Sequence, residues 1–169
     1  MDFQNVDNMI TIPVVNKSQN SLPKYQHLSD AGFDLAADLT NVDTTYFDGC
    51  DFDKERNVII MYPGGRCLVP TELYMAIPEG YELQVRSRSG LALKSGVFVA
   101  NAPGTVDAGY RSGIGVILYN SSSNIFEINQ GDRIAQGVLN KVEQAEFISV
   151  DMLPSSERGT NGFGSTGVH

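Results

Sequence analysis

The sequence predicts an all-β fold, and three observations support this. Short runs rich in β-branched and aromatic residues recur along the 169-residue chain, separated by clusters of Gly, Pro, Asn and Ser. No segment keeps a helical period over three turns with capping residues. Hydrophobic residues make up 41% of the chain and charged residues 19%, which is a globular composition. Many short strands at regular spacing are typical of a sandwich, jelly roll or barrel, here as one domain over residues 1–169.

The predicted elements follow from these runs and the turns between them. The predicted strands are 9–15, 57–62, 67–70, 73–78, 81–87, 96–101, 114–120, 125–128, 134–142 and 146–152. The turns are PGG at 63–65, PEG at 78–80, NAPG at 101–104, YRSG at 110–113, SSSN at 121–124 and NQGD at 129–132. One short helix is expected at 89–96, where good helix formers stand between two glycines. The acidic stretch 40–57 is expected to form a surface excursion, such as a β-hairpin.

Charge and cysteine content exclude several function classes. Lys plus Arg number 12 and Asp plus Glu 20, so the net charge is 12 − 20 = −8, which argues against nucleic-acid binding through a basic face. No apolar run is long enough to span a bilayer, and the N-terminus lacks a secretory signal, so we expect a cytoplasmic protein without membrane contact. Cys50 and Cys67 are expected to be free thiols. Because the chain is acidic overall, an anion would have to be bound by a few local arginines and backbone N–H groups.

Two stretches place charged residues at strand ends. In SDAGFDLAAD, 29–38, Asp34 either faces solvent on an ordinary strand or helps to hold Mg²⁺. In RSRSGLALK, 86–94, Arg86 and Arg88 share one side of an extended chain, and Ser89-Gly90 opens the expected helix. Such a cluster is either solvated or an anion site.

Two further stretches carry polar residues in turns. In NAPGTVDAGYRSG, 101–113, Asp107 precedes Tyr110 by three residues; it is either a turn former or part of a nucleoside site. In GDRIAQG, 131–137, Gln136 is predicted to face the opposite side from Arg133, because their spacing is odd.

The fifth stretch is RGTNGFGSTG, 158–167, near the end of the chain. It resembles a glycine-rich phosphate loop, but it lacks the Lys and the following helix of a Walker A motif. Phosphate would be bound here by a C-terminal arm, about 154–169, that becomes ordered when the ligand binds.

With these five stretches in this order and spacing, the chain resembles the trimeric deoxyuridine triphosphatases (dUTPases). The resemblance implies a jelly roll that assembles as a homotrimer, with active sites at subunit interfaces built from all three chains. It implies Mg²⁺-assisted hydrolysis of dUTP to dUMP and pyrophosphate, by attack of water on the α-phosphorus. The reaction would lower dUTP and supply dUMP for thymidylate synthesis.

The resemblance also assigns roles to residues that would hold the nucleoside and the metal. Asp34 would help to hold Mg²⁺ through water. Asn101 and the backbone near Gly104 would pair with the uracil edge. Asp107 would hold the sugar 3′-hydroxyl and activate the attacking water, and Tyr110 would pack under the deoxyribose.

Phosphate contacts are assigned by resemblance to the second and fourth stretches. Arg88, Ser89 and Gly90 match the family's phosphate-contacting Arg-Ser-Gly, and Gln136 would contact phosphate or the site's water. The family commonly has Pro where this chain has Ser87, so a local backbone difference is expected there.

In the tail, the resemblance assigns a role to each functional group. Arg158 would reach the terminal phosphate, and Phe163 would cover the uracil. The phosphates would be clasped by Gly164, Ser165 and Thr166. The subunit whose site each arm covers is left open.

Two alternatives from other classes stand beside this prediction. Deoxycytidine triphosphate deaminases share the fold but carry a Glu proton shuttle after the hairpin, where alignment places Ile117 in this chain. Because an isoleucine cannot move protons, deamination is disfavoured. A non-catalytic, partner-binding regulator of the same fold is the second alternative, with 40–57 as its contact surface; the filled catalytic positions argue against it.

Overall fold

The computed structural model describes residues 9–157 and 159, and its fold is all-β with one short helix, as predicted. The strands are β1 Val14–Asn16, β2 Phe33–Ala36, β3 Asp48–Asp53, β4 Val58–Pro70, β5 Leu73–Met75, β6 Tyr81–Arg86, β7 Val97–Val99, β8 Gly104–Val106, β9 Gly115–Asn120, β10 Phe126–Asn129 and β11 Arg133–Lys141. The helix α1 spans Ser89–Ser95 and ends at Gly96 in the left-handed conformation, which glycine adopts readily. No helix in the described part of the chain is long and apolar enough to cross a membrane.

Two antiparallel sheets form the body of the fold. A five-stranded sheet has the order β10-β4-β9-β7, with β3 also paired to β4, and a four-stranded sheet has the order β2-β11-β6-β8. The two short strands β1 and β5 pair with each other. One buried cluster joins Leu35 and Leu83 of the four-stranded sheet to Ile59 and Leu118 of the five-stranded sheet. Burial of such side chains is the main favourable term in folding.

The predicted turn at 63–65 is wrong, because β4 continues through it. The register between β3 and β4 is irregular here, because a step of two residues from Asp48 to Cys50 lies opposite a step of five from Arg66 to Met61. Gly64 has φ +78°, and a Cβ on Gly65 would lie 2.1 Å from the carbonyl oxygen of Gly49. The glycines therefore bend one long strand instead of separating two.

The stretch 40–57 contains a hairpin arm. Its strand β3 pairs with the first part of β4. The turn between them is held by Asp53, whose Oδ1 accepts the N–H groups of Glu55 and Arg56, both at 3.0 Å. The excursion is therefore an added edge strand of the five-stranded sheet.

The predicted strand at 146–152 is also wrong for the single chain. These residues form no strand, and their apolar side chains are exposed, as at Phe147 (94%) and Met152 (84%). A strand needs a neighbour for its N–H and C=O groups, and the chain's own described strands supply none here. The apolar pattern of 146–152 thus has no partner within one chain.

Asp38 is a buried carboxylate that ties the N-terminal segment to the four-stranded sheet. Its Oδ2 accepts the Gln19 N–H at 2.7 Å and the Gln130 amide at 2.9 Å, and its Oδ1 accepts the Thr40 N–H at 3.1 Å. Burial alone raises the pKa of Asp38, but the hydrogen bonds from Thr40, Gln19 and Gln130 outweigh burial and lower that pKa below its usual 3.8.

Asp38→Asn is expected to lower the free energy of unfolding by about 1–3 kcal/mol, because the amide turns an NH₂ group toward an N–H donor. Since the folded-state pKa is depressed, the carboxylate stabilises the fold above the unfolded pKa, and the gain is lost as pH falls through the folded pKa. Urea unfolding at neutral and acidic pH checks both points. Asp43→Asn, at an exposed turn, is the control and should cost clearly less; an equal cost would contradict the role of the buried network.

Candidate active site

Three polar side chains form a row across the four-stranded sheet. Asp34 of β2 lies opposite Gln136 of β11, and Gln136 lies opposite Arg86 of β6. Directly paired residues point to the same face of a sheet. Strand pairing thus brings together three residues that are far apart in the sequence.

Arg133 joins this row, which corrects the sequence prediction that it faces away from Gln136. Arg133 pairs with Ala36, two residues from Asp34, whereas Gln136 pairs with Asp34 itself. The register shifts between Arg133 and Ala135, because a β-bulge inserts an extra residue there. An odd spacing therefore becomes an even one, and Arg133 faces the same side as Gln136.

Asp34 is held by two guanidinium groups. Arg88 Nε lies 2.9 Å from Oδ1 of Asp34, and Arg133 Nη1 lies 3.0 Å from Oδ2. Arg88 also donates to the carbonyl oxygen of Arg133 at 2.8 Å. Arg86 is oriented by the neutral Gln84, whose Oε1 accepts from Nε at 2.9 Å. Two arginines on one carboxylate, with Arg86 on the same face of the sheet, give an acidic chain a local surface that attracts anions.

The helix α1 begins beside this cluster. Arg88 is its N-cap and makes no side-chain capping bond, and Ser89 and Gly90 are exposed. A Cβ on Gly90 would meet open space, so the packing of this chain does not require glycine there. We define the phosphate half-site as the predicted phosphate and metal residues of the described chain: Asp34, Arg88, Ser89, Gly90 and Gln136.

The second cluster lies in the hairpin-like stretch 101–113, where the resemblance implies that uracil binds. The Tyr110 N–H donates to the Asp107 carbonyl at 3.0 Å, and the Tyr110 hydroxyl donates to the Gly113 carbonyl at 2.9 Å. Asn101 Nδ2 would lie 3.1 Å from a Cβ at position 104, so the close approach favours Gly104. A cavity of about 180 Å³ is lined by residues that include Leu68, Val85, Asn101, Gly104, Tyr110 and Ile117. We define the base half-site as Asn101, Gly104, Asp107 and Tyr110.

Asp107 directly follows β8, and its carboxylate is an available acceptor. Its side chain is exposed, and its carboxylate accepts no hydrogen bond and makes no ion pair within residues 9–157 and 159. The only Asp107 contact found among the described residues uses its backbone carbonyl. Ile117 lines the cavity, so the position where a deaminase needs a Glu is apolar here.

The two half-sites are separated in one chain, and the neighbouring residues Val85 and Arg86, which border them, point to opposite faces of the four-stranded sheet. Val85 pairs with Gly104 and lines the base cavity, while the next residue, Arg86, belongs to the row with Gln136 and Asp34. Consecutive strand residues point to opposite faces. A separate cavity of about 280 Å³ beside Asp34 and Gln136 shares no lining residue with the base cavity. One chain therefore presents two separated half-sites.

Five predicted site residues lie outside the described residues: Arg158, Phe163, Gly164, Ser165 and Thr166. Sequence reasoning missed Arg133 as a partner of Asp34. Its position in GDRIAQ, one of the five stretches, indicated that Arg133 is near the site. Only the β-bulge explains why its side chain points to the same face as Gln136. Within the described part of the chain, no three His, Cys, Asp or Glu side chains gather as a metal-binding group.

Comparisons with known proteins identify the family and agree with the fold. The dUTPase family model matches residues 36–167. Deoxyuridine 5'-triphosphate nucleotidohydrolase from Cytophaga hutchinsonii is 46% identical over 164 residues, covering 96% of each chain. The structure of the Staphylococcus bacteriophage 80alpha dUTPase with dUPNHPP is 26% identical with a TM-score of 0.75, covering 95% of this chain and 100% of that one. A mutant dUTPase from phage phi11 of S. aureus, solved with a structural Mg(II) ion, is 22% identical with a TM-score of 0.69, covering 86% and 100%. The chain belongs to the dUTPase family.

Proposed function

We propose that the two half-sites divide the work of hydrolysing dUTP to dUMP and pyrophosphate, the reaction of this family. The observation that carries this proposal is Asp107, an exposed carboxylate beside a nucleobase-sized cavity. It would hold the sugar 3′-hydroxyl and take a proton from the water that attacks the α-phosphorus. Oxygen from water then forms a bond to phosphorus, and the bond to the pyrophosphate oxygen breaks.

The base half-site supports selection of deoxyuridine. Asn101 and the backbone near Gly104 offer donors and acceptors to a uracil edge, and Tyr110 offers a ring to the deoxyribose. Cytosine presents the reversed pattern at that edge, and unpaired polar groups make such rejection large. The narrow hairpin would exclude the thymine methyl group.

Pyrophosphate release from each deoxynucleoside triphosphate tests this selection. We expect kcat/KM for dUTP to exceed that for dCTP and dTTP by roughly 10²-fold or more. Pyrophosphate release from UTP, which differs from dUTP by its 2′-hydroxyl, tests selection for the deoxyribose. Ready turnover of dCTP to deoxyuridine products would instead identify a deaminase.

The phosphate half-site supports binding of a triphosphate. Arg88 is already oriented by Asp34, and Ser89 and Gly90 are open to solvent beside it. Gln136 would add an amide donor. Arg133 strengthens the positive surface through its contact with Asp34. Hydrogen-bond donors that are already oriented toward the negative charge of the transition state usually make the largest single contribution to lowering the activation free energy.

Asp34 is compatible with a Mg²⁺ ion that is bound mainly by the substrate. Mg²⁺ keeps several waters and usually takes one or two carboxylates plus substrate phosphates, which fits a cavity whose acidic lining residues are Asp30 and Asp34. Each oxygen of Asp34 accepts one guanidinium bond, and a carboxylate oxygen has room for a second donor such as a metal-bound water. When bound, the ion would neutralise charge on the triphosphate.

The separation of the half-sites supports a homotrimer with sites between chains. Because the two cavities of one chain share no lining residue, half-sites from different chains would have to combine to hold one dUTP. The exposed apolar side chains of 146–152 are a second argument, because they need a surface to cover them. The tail residues Arg158, Phe163, Gly164, Ser165 and Thr166 would then close over the site: Arg158 on the terminal phosphate, Phe163 on the uracil.

A further inference from the structure

Ser87 joins three elements at the junction between β6 and α1. Its hydroxyl accepts the backbone N–H of Val99 at 3.0 Å. Its carbonyl accepts the side-chain amide of Gln136 at 2.9 Å. The next residue is Arg88, the N-cap of α1 and a member of the phosphate half-site.

The bond to Val99 crosses between the two main sheets. Val99 ends β7, the outer strand of the five-stranded sheet, and pairs with β9 on one side only. The Ser87 hydroxyl takes the place of a strand partner for its outward N–H group. Val99 is buried, so loss of the hydroxyl would leave a shielded donor without an acceptor.

We propose that Ser87 is a positioning residue that fixes the phosphate half-site relative to the base half-site of the same chain. This inference rests on the proposed function. Arg88 follows Ser87 directly, and Asn101 follows Val99 by two residues, so one hydroxyl sets the spacing of the two segments. The Gln136 bond holds the same junction against β11. In an assembly with sites between chains, this spacing also sets where one site lies relative to the next.

The expected effect is on the chemical step more than on nucleoside binding. In-line attack needs the α-phosphorus held at a fixed distance and angle, and a displacement of about 1 Å is costly. Ser87→Ala is expected to lower kcat for dUTP about tenfold. The inhibition constant of dUMP should stay within about twofold, because Asn101, Gly104 and Tyr110 are untouched.

The experiment uses the full chain and compares Ser87→Ala with Ser87→Thr, which keeps the hydroxyl. Steady-state pyrophosphate release and the exchange rate of the Val99 amide proton are measured for each. Ser18→Ala is the matched control, since that hydroxyl also accepts a backbone N–H, from Asn20 at 3.1 Å, away from both half-sites. We expect slow turnover and fast Val99 exchange in Ser87→Ala only.

Parent kcat in Ser87→Ala, or equal losses in Ser87→Ala and Ser87→Thr, would overturn the positioning role. If Ser87→Ala does not fold, Ser87→Thr still tests the proposal. The proposal requires that Ser87→Thr turns over dUTP at the parent rate and keeps its Val99 amide protected from exchange. A parent chain that releases no pyrophosphate from dUTP would refute the proposed function. An active parent with an equally active Ser87→Ala would refute only the role of Ser87.

Discussion

Asp107→Asn is expected to lower kcat for dUTP hydrolysis by roughly 10²–10⁴-fold, the usual contribution of a general base. An asparagine keeps the size of the side chain and can still contact the sugar, but it cannot take a proton from water. Binding of dUTP should therefore largely survive. Single-turnover hydrolysis and equilibrium binding of dUTP, measured on the same preparation, separate the two effects.

The matched control for this variant is Asp48→Asn. Asp48 is an exposed carboxylate on β3, and its contact with Arg66, at 3.5 Å, lies on the added hairpin arm. An exposed ion pair of this kind contributes little, so turnover should stay at the parent level. Hydrolysis by Asp107→Asn at the parent rate would mean that another group activates the water.

Removal of residues 158–169 is expected to reduce turnover of dUTP by about 10²-fold or more, if the tail closes over the site as we propose. The lost groups include the Arg158 cation and the Phe163 ring. The fold and its assembly should remain intact, since the body of the fold ends with β11 at Lys141 and segment 146–152 is kept. Sedimentation and pyrophosphate release, measured together, check both statements.

A shorter truncation provides the control for the tail. Removing only 168–169 leaves RGTNGFGSTG whole, and activity should be that of the parent. Full activity in the chain that lacks 158–169 would show that the tail takes no part in the site. Dissociation of the assembly in that chain would place a subunit contact in the tail itself.

Much of the fold could be predicted because its signals are local. Alternating burial in β6 and β9 follows the residue pattern of those stretches, and α1 forms where LALK stands before Gly96. The stretches that carry the site also stood out, since glycines and polar residues interrupt the strand pattern there. Their individual roles stay predictions that the variants above test.

Other features depended on contacts between distant residues. Residues 63–65, predicted as a turn, lie inside β4, where the register with β3 is irregular and pairing resumes at Arg66. The strand predicted at 146–152 has the right residues but no neighbour within the chain.

The sequence by itself thus determined the strand-rich architecture, the single short helix and the membership of a family whose reaction is dUTP hydrolysis. Only the tertiary structure decided the direction of Arg133, the link from Ser87 to Val99 and the separation of the two half-site cavities. The physical reason is that strand register is fixed by pairing across the sheet. A shift of one residue turns a side chain to the other face, and the spacing of residues along the chain cannot reveal it.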